Sequence, residues 1–498
     1  MSKLLREYDA HIDTLLTIAK RDEMYVVARW HKRDFYAAIW RNHQLDENRI
    51  GQDTGLGLYV FTKTGHVAFG STNELSDEAI LKLYTELKHA AIKNEDLGIA
   101  KAHEIYDLNP QVNLGEDSLH YQHKPLLDYE LDELPKILAG LDKRAVKACP
   151  DASFNGMGNI EQDQWRIVRS DGTDVDFSIP KVRLSARATI RTDDGSAESM
   201  YRGAGNSVED LKAALAATDD HFEAGIKQAI EQAAAPSIKG GSPAVIMDAE
   251  LIGMIAHEAL GHPAESDIIA GGGSVLGDDN GRFKSGVTVA DAGINVTDHE
   301  EGLIHGFHPY GAFGNARERV SIVKDGKLHE SISDIFSAAR IGVPNKNCER
   351  SESYSAPAIP RMSNTYVHID NHQNMVEDDS VSKAVIAQRT LQANGMFKDH
   401  PTVLYIQGMS GGSVNPAGGT FMFGTQYAYE ITTDSITPYK PVSFSGDALS
   451  ALKSIRFGAG EIDTSDFGFC GKNSQSAHVN SGGNALVFLE PNESLTVA

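Results

Sequence analysis

Ala244-Val245-Ile246-Met247-Asp248, followed through Leu251, Ile252, Met254 and Ile255 to His257-Glu258-Ala259-Leu260-Gly261-His262, is the stretch on which the rest of the reading depends. The apolar run 244–247 reads as a short strand. Asp248 is a suitable N-cap, and the next apolar residues supply a core-facing helical stripe. Two imidazoles bracketing a carboxylate are the ligands and base of a hydrolytic metal centre. The spacing is not that of the common HExxH helix, whose histidines stand four apart on one face. Five residues apart in a regular α-helix, positions 257 and 262 would diverge by roughly 140°. A one-turn π-bulge would bring both rings to one ion, and so would a helix ending at Gly261 with His262 swinging back from the loop. Glu258 sits in an otherwise apolar segment, where an unpartnered carboxylate is costly to bury unless it serves a site.

Outward from this stretch, length and composition set the frame. At 498 residues, 41% of them hydrophobic, the chain has material for two to four cores. The turn-rich segment Ala235-Pro236-Ser237-Ile238-Lys239-Gly240-Gly241-Ser242-Pro243 is the best boundary, giving an N-terminal domain over 1–235 and a second over 236–498. A formal charge of −23 argues against a nucleic-acid partner, which calls for basic patches. The absence of a signal-peptide pattern and of any 18-residue apolar run argues against export and membrane insertion, so a cytoplasmic location is expected. Cys149, Cys348 and Cys470 are too few for a disulfide framework. Cys470 lies in Asp466-Phe467-Gly468-Phe469-Cys470-Gly471-Lys472, read as a glycine-flanked turn where a thiolate could approach a metal closely.

In chain order, residues 3–20 carry an amphipathic helix pattern, and strands are expected at Met24–Arg29, Asp34–Trp40 and Gly57–Thr62. Helices are expected over 76–93 and 134–148, irregular chain over 94–125, and a hairpin at Ser170-Asp171-Gly172-Thr173. Residues 203–235 read as helix in two pieces. The second half reads as strand-rich, with strands near 288–290, 320–323 and 365–369, a turn at 324–327, and 381–392 as its clear later helix. The glycine clusters 408–412 and 418–419 lack a Gly-Lys-Ser/Thr signature and are read as tight turns rather than phosphate loops. His299, Glu300, Glu301, His305 and His308 are candidates only for a supporting role around the metal.

Taken together, His257-Glu258-x-x-Gly261-His262, Pro360-Arg361-Met362-Ser363-Asn364-Thr365-Tyr366 and Cys470-Gly471-Lys472-x-x-Gln475 make the sequence resemble the TldD/PmbA family of metalloproteases. The likeness spans nearly the whole chain and takes in an early Asp53-Thr54-Gly55-Leu56-Gly57 turn and the Ser170-Asp171-Gly172 segment. The histidine motif and the late cysteine are those of the TldD-like, active subunit. The resemblance implies zinc held by His257, His262 and Cys470, with Glu258 as catalytic base. Three protein ligands with one open position are what a catalytic zinc site requires. It implies an α+β fold of two domains, the first α/β and the second mostly antiparallel strand, carrying the helix of the site. It also implies extended peptides or unfolded proteins as substrate, and a homodimer or a heterodimer with a TldE/PmbA-like homologue. Two alternatives stand beside this reading: a non-catalytic, TldE-like scaffold, and a metal-dependent amidase acting on small molecules.

Overall fold

The structure is a computed structural model, which describes residues 5–98, 110–114, 130, 132–193, 195–217, 219–298, 304–378 and 380–498. The architecture is α+β, with two large sheets. β1 (Tyr25–Arg41), β2 (Gln44–Phe61), β3 (Val67–Thr72), β4 (Ser153–Arg169), β5 (Asp174–Thr192) and β6 (Gly195–Gly205) form the first. Its order is 3-2-1-4-5-6 and every neighbouring pair is antiparallel. Side chains alternate between its faces as a pleated strand requires. Val26, Ala28 and Trp30 pack beneath the helices Asp9–Arg21 and Asp77–Asp96, the second capped by Ser76. Tyr25 and Val27 face the opposite way, into a core shared with Tyr310 and Phe313 from the second half of the chain.

The strands are longer than the sequence suggests. β1 runs unbroken through Trp30–Arg33, because it is paired on both sides, with β2 and β4. Its polar middle is tolerated because Asp163 of β4 accepts from both His31 Nε2 (3.0 Å) and Arg33 Nε (2.7 Å). The expected turn at 53–57 is not there. Those residues lie inside β2, and the turn is made by Asn42 and His43, whose φ values of 50° and 63° suit a tight hairpin. Gly55 and Gly57 serve close packing instead: a Cβ on either would meet Tyr354 at 2.2 Å and 2.3 Å. Likewise Gly203 and Gly205 end β6 rather than begin a helix, which starts at Val208. The hairpin at 170–173 and the helix Glu133–Ala148 are found as read.

Among the described residues the second sheet has thirteen strands drawn from residues 245–497. Its middle runs Asn364–Ile369, Gln475–Leu489, Val245–Asp248, Val403–Asn415, Thr420–Ile431. Most pairs are antiparallel, though Val245–Asp248 lies parallel to Val403–Asn415, and Asn364–Ile369 parallel to Gln475–Leu489. Residues 408–412 are not a turn but the bulged stretch of a strand, with the register shifting between Met409 and Gly411. Gly418 and Gly419 do sit in a strand-to-strand connection. Residues 288–290 contribute one isolated bridge, Thr288 to Lys327, and not a strand. Besides Lys383–Ala393, a second late helix, Ala448–Ser454, is capped by Asp447. Residues 94–96 complete the helix begun at Asp77, and most of the stretch read as irregular lies outside the described residues, as do His299, Glu300 and Glu301. A second shared core joins Leu138, Phe154 and Leu184 to Ile246, Tyr405 and Phe488, so the first sheet rests on the second at both ends.

Candidate metal centre

Asp248 accepts from Leu251 N at 3.1 Å and opens the helix Ala249–Met254, which lies on the Gln475–Leu489 strand. Contact is close at Gly253, where a Cβ would meet Gly482 N at 2.5 Å. From Ile255 to Gly261 the helix widens into a π-turn, then tightens to a 3-10 turn at His262–Ala264. The extra residue in the π-turn offsets the five-residue spacing, so His257 and His262 reach the same side with ring centroids 5.4 Å apart. Gly261 has an ordinary helical φ of −59° and is small for a packing reason: a Cβ there would fall 1.9 Å from Met362 Sδ.

Cys470 comes from a distant element, the strand Ile455–Lys472, and not from a turn. The turn is Asn473-Ser474, with φ of 50° and 60°. Cys470 therefore takes its position from the ladder with Gln475–Leu489, where it faces Ala477. Sγ lies 3.2 Å from His262 Nε2, and the ligand atoms of His257, His262 and Cys470 all lie within 4.8 Å of one another. All three residues are buried or nearly so. Burial disfavours the Cys470 thiolate, but His257 and His262 beside it outweigh that and bring the thiol down to about 5. Burial opposes charge on each imidazole as well. The sulfur lifts His257 above its ordinary range, and Glu265 with the sulfur lifts His262 well above it.

Several residues to which the sequence alone assigns no role surround and support this trio. Glu265 is fully buried and accepts from His262 Nδ1 at 3.0 Å, which turns Nε2 toward Cys470. Burial would raise its carboxyl, but His262 and Lys472 hold it at about 2. Lys472 Nζ donates to Glu265 (3.0 Å), Asp267 (2.7 Å) and the Pro360 carbonyl (3.0 Å). Arg361, 1% exposed, donates to the carbonyls of Cys470 and Gln475, clamping the hairpin that carries the cysteine. Ser363 and Thr365 donate to Asp298, at 3.0 Å and 2.9 Å from their hydroxyls. The signal that could have found Glu265 is its position three residues beyond His262, on the same side of the turn. Arg361 lies in the 360–366 motif, but nothing local marks it as a clamp on the cysteine hairpin.

The donor set suits a zinc-like cation. Two imidazoles and a low-lying thiolate are the nitrogen and sulfur ligands such an ion takes, and His257 Nδ1 is buried without a hydrogen-bond partner among the described residues. Glu258 stands beside the set, its carboxylate 3.8 Å from His262 Nε2 and its side chain 25% exposed. With His257 it lines a cavity of about 270 Å³ also bordered by Arg183, Met254, Met409 and Phe469.

One other group of described residues has ligand-compatible spacing: Glu161, Asp163 and His478. It is a poor cation site, since Asp163 already serves His31 and Arg33 and the charges of Lys181, Arg33 and Arg350 press on His478. His478 bonds to His305 (3.0 Å) and Glu161 (3.3 Å), and His308 packs edge-on against Phe177. His305 and His308 thus belong to this polar seam between the sheets and not to the metal trio. Cys348 is fully buried, with its thiol pushed up to about 12 by that burial.

An α+β chain with a buried N,N,S donor set beside a carboxylate defines a class of candidate metalloenzymes. Three family profiles then match in order: PmbA/TldA metallopeptidase domain 1 over 26–91, the central domain over 124–235 and the C-terminal domain over 240–479. The chain belongs to the PmbA/TldD metallopeptidase family. An Archaeoglobus fulgidus metalloprotease is 32% identical over 243 residues, 49% of this chain and 51% of its own length. A zinc metalloprotease TldD homolog of Saccharolobus solfataricus is 28% identical over 267 residues, 52% of each chain. The chain thus matches about half the length of these curated relatives. The crystal structure of TldE from Thermococcus kodakarensis superposes with a TM-score of 0.69 at 12% identity, covering 98% of this chain and 99% of that one. No helix among the described residues is long and apolar enough to cross a membrane.

Proposed function

We propose that this chain is a zinc metallopeptidase that hydrolyses extended peptides or unfolded proteins, with His257, His262 and Cys470 as ligands and Glu258 as general base. The observation that carries the reading is the convergence of three buried ligand atoms within 4.8 Å beside a partly exposed carboxylate that lines an open cavity. Zinc held by this trio would supply Lewis acidity with one coordination position left open. The remaining work falls to the protein. Glu258 takes the proton of the attacking water on a carboxylate oxygen and returns it to the leaving amine nitrogen. Glu265 keeps the His262 tautomer with its proton on Nδ1, and the Arg361 clamp keeps Cys470 at its ladder position.

Relatives named metalloproteases support this over the small-molecule amidase alternative, and the ligand trio beside Glu258 favours it over the scaffold. We extend the reading to a cytoplasmic homodimer or heterodimer with a TldE/PmbA-like homologue, and to a division of the chain into 1–235 and 236–498, each with its own sheet. The deciding experiment pairs metal analysis of the purified chain with cleavage of one unfolded polypeptide. One zinc per chain with cleavage abolished by a chelator supports the reading, whereas cleavage confined to small amides overturns it.

A further inference from the structure

We propose that Arg183 makes the cavity beside Glu258 a carboxylate-binding subsite, so that favoured substrates carry a carboxylate close to the cleaved bond, either an acidic side chain or the chain terminus. This rests on the peptidase reading above. Arg183 belongs to β5 of the first sheet, paired with Asn159 and Ala204, yet its guanidinium reaches across to the second. Its Cζ lies 3.9 Å from the centre of the Phe469 ring, the residue next to Cys470. The cation is therefore one residue removed from the metal trio, and it lines the same cavity as His257 and Glu258.

Its bonding leaves it able to take a ligand. With the Asn159 amide turned to satisfy both its ends, its oxygen accepts from Arg183 Nε (3.0 Å) and Nη2 (2.8 Å). Nη1 then has no hydrogen-bond acceptor among the described residues. The other cavity cation, Arg202, already faces Glu250 at 3.3 Å. Arg183 has no carboxylate in ion-pair contact among the described residues, and burial pushes its guanidinium down more than the nearby Glu161 charge restores. The same cavity is lined by the apolar Leu184, Phe469, Val479 and Met409 and by the hydroxyls of Ser185 and Ser481. A poorly countered guanidinium in a recess of mixed apolar and hydroxyl lining suits a substrate group with a short methylene arm and a carboxylate end, which it can hold by charge-assisted hydrogen bonds.

The test uses the full zinc-loaded chain and unstructured peptides in matched pairs. One pair differs only as Glu or Gln beside the cleaved bond, the other only as free acid or amide at the C-terminus. The wild type is expected to show kcat/KM at least about tenfold higher for the acid member of one pair, the size of a charge-assisted hydrogen bond. Which pair responds tells a side-chain carboxylate from a terminal one. Arg183→Met should bring that ratio close to one, and Arg183→Lys, which keeps the charge but not the fork, should leave it in between. A wild-type ratio near one in both pairs, or a ratio unchanged in Arg183→Met, overturns the proposal. Arg183→Lys decides if Arg183→Met does not fold. Binding of the same labelled peptides to Glu258→Gln separates the two readings. Acid preference in binding, lost on adding Arg183→Met, with no hydrolysis by the wild type, keeps the subsite and removes the peptidase; hydrolysis without preference does the reverse.

Discussion

His262 Nδ1 and Oε2 of the fully buried Glu265 stand 3.0 Å apart, with Lys472 Nζ on the same oxygen. The imidazole is thereby fixed in one tautomer and orientation, which is what a ligand histidine needs from the residue behind it. Glu265→Gln should therefore weaken zinc binding by about 10- to 100-fold. Competition against a chelating dye measures this, and an affinity equal to that of the wild type would remove Glu265 from the role.

Glu258→Gln is expected to behave in the opposite way. The carboxylate lies outside the three-residue trio, so zinc stoichiometry should be kept while hydrolysis falls by about 10²- to 10⁴-fold, the contribution of a general base. Hydrolysis near the wild-type rate would falsify the assignment.

Cys470 can be told from the other two cysteines by charge as well as by metal. Cys470→Ala should lower zinc content, while Cys149→Ala and Cys348→Ala should not. In metal-free protein, the thiolate absorbance that disappears in Cys470→Ala should titrate at about 5, far below an ordinary thiol. The folded value is depressed, so this group stabilises the metal-free fold above the ordinary thiol range and loses that contribution as pH falls through about 5. A thiol titrating in its ordinary range would show that the imidazoles do not act on it.

Gly261 and Met362 should be energetically coupled. A Cβ at 261 would lie 1.9 Å from the sulfur, so Gly261→Ala should cost about 1–3 kcal/mol through overpacking. In a double-mutant cycle with Met362→Ala, thermal melts should show that penalty shrinking by about 1 kcal/mol or more. Simple additivity would mean that the glycine is small for another reason.

Assembly and access can be tested together. One target protein, folded and unfolded, is offered at equal concentration while the mass of the enzyme in solution is measured. The expectation is a dimer that cleaves only the unfolded form. Equal cleavage of both forms, or a fully active monomer, counts against that part of the proposed function.

Much of the fold was legible from local chemistry. Asp248 caps its helix as expected, and the helix expected from 76 opens there with Ser76 as its cap, because capping is decided within three residues. The five-residue spacing of His257 and His262 required a distortion at that point, and the π-turn is one of the two that it allowed. What stayed hidden depends on partners far along the chain. β1 reads as two strands until Asp163, about 130 residues later, is seen to hold His31 and Arg33. Gly55 and Gly57 look like a turn until Tyr354 is seen against them. Arg361 and Lys472 carry no spacing signal for their roles, since their partners meet them only through the long hairpin 455–489.

The π-turn also bears on portability. Copied into an ordinary α-helix, the six residues 257–262 would point their imidazoles roughly 140° apart, so the hexapeptide by itself is no binding module. The widened turn is packed closely before and at its end: Gly253 against Gly482, and Gly261 against Met362. The instruction for the geometry is thus written mostly in the strands around the helix, and a minimal graft would have to carry them along.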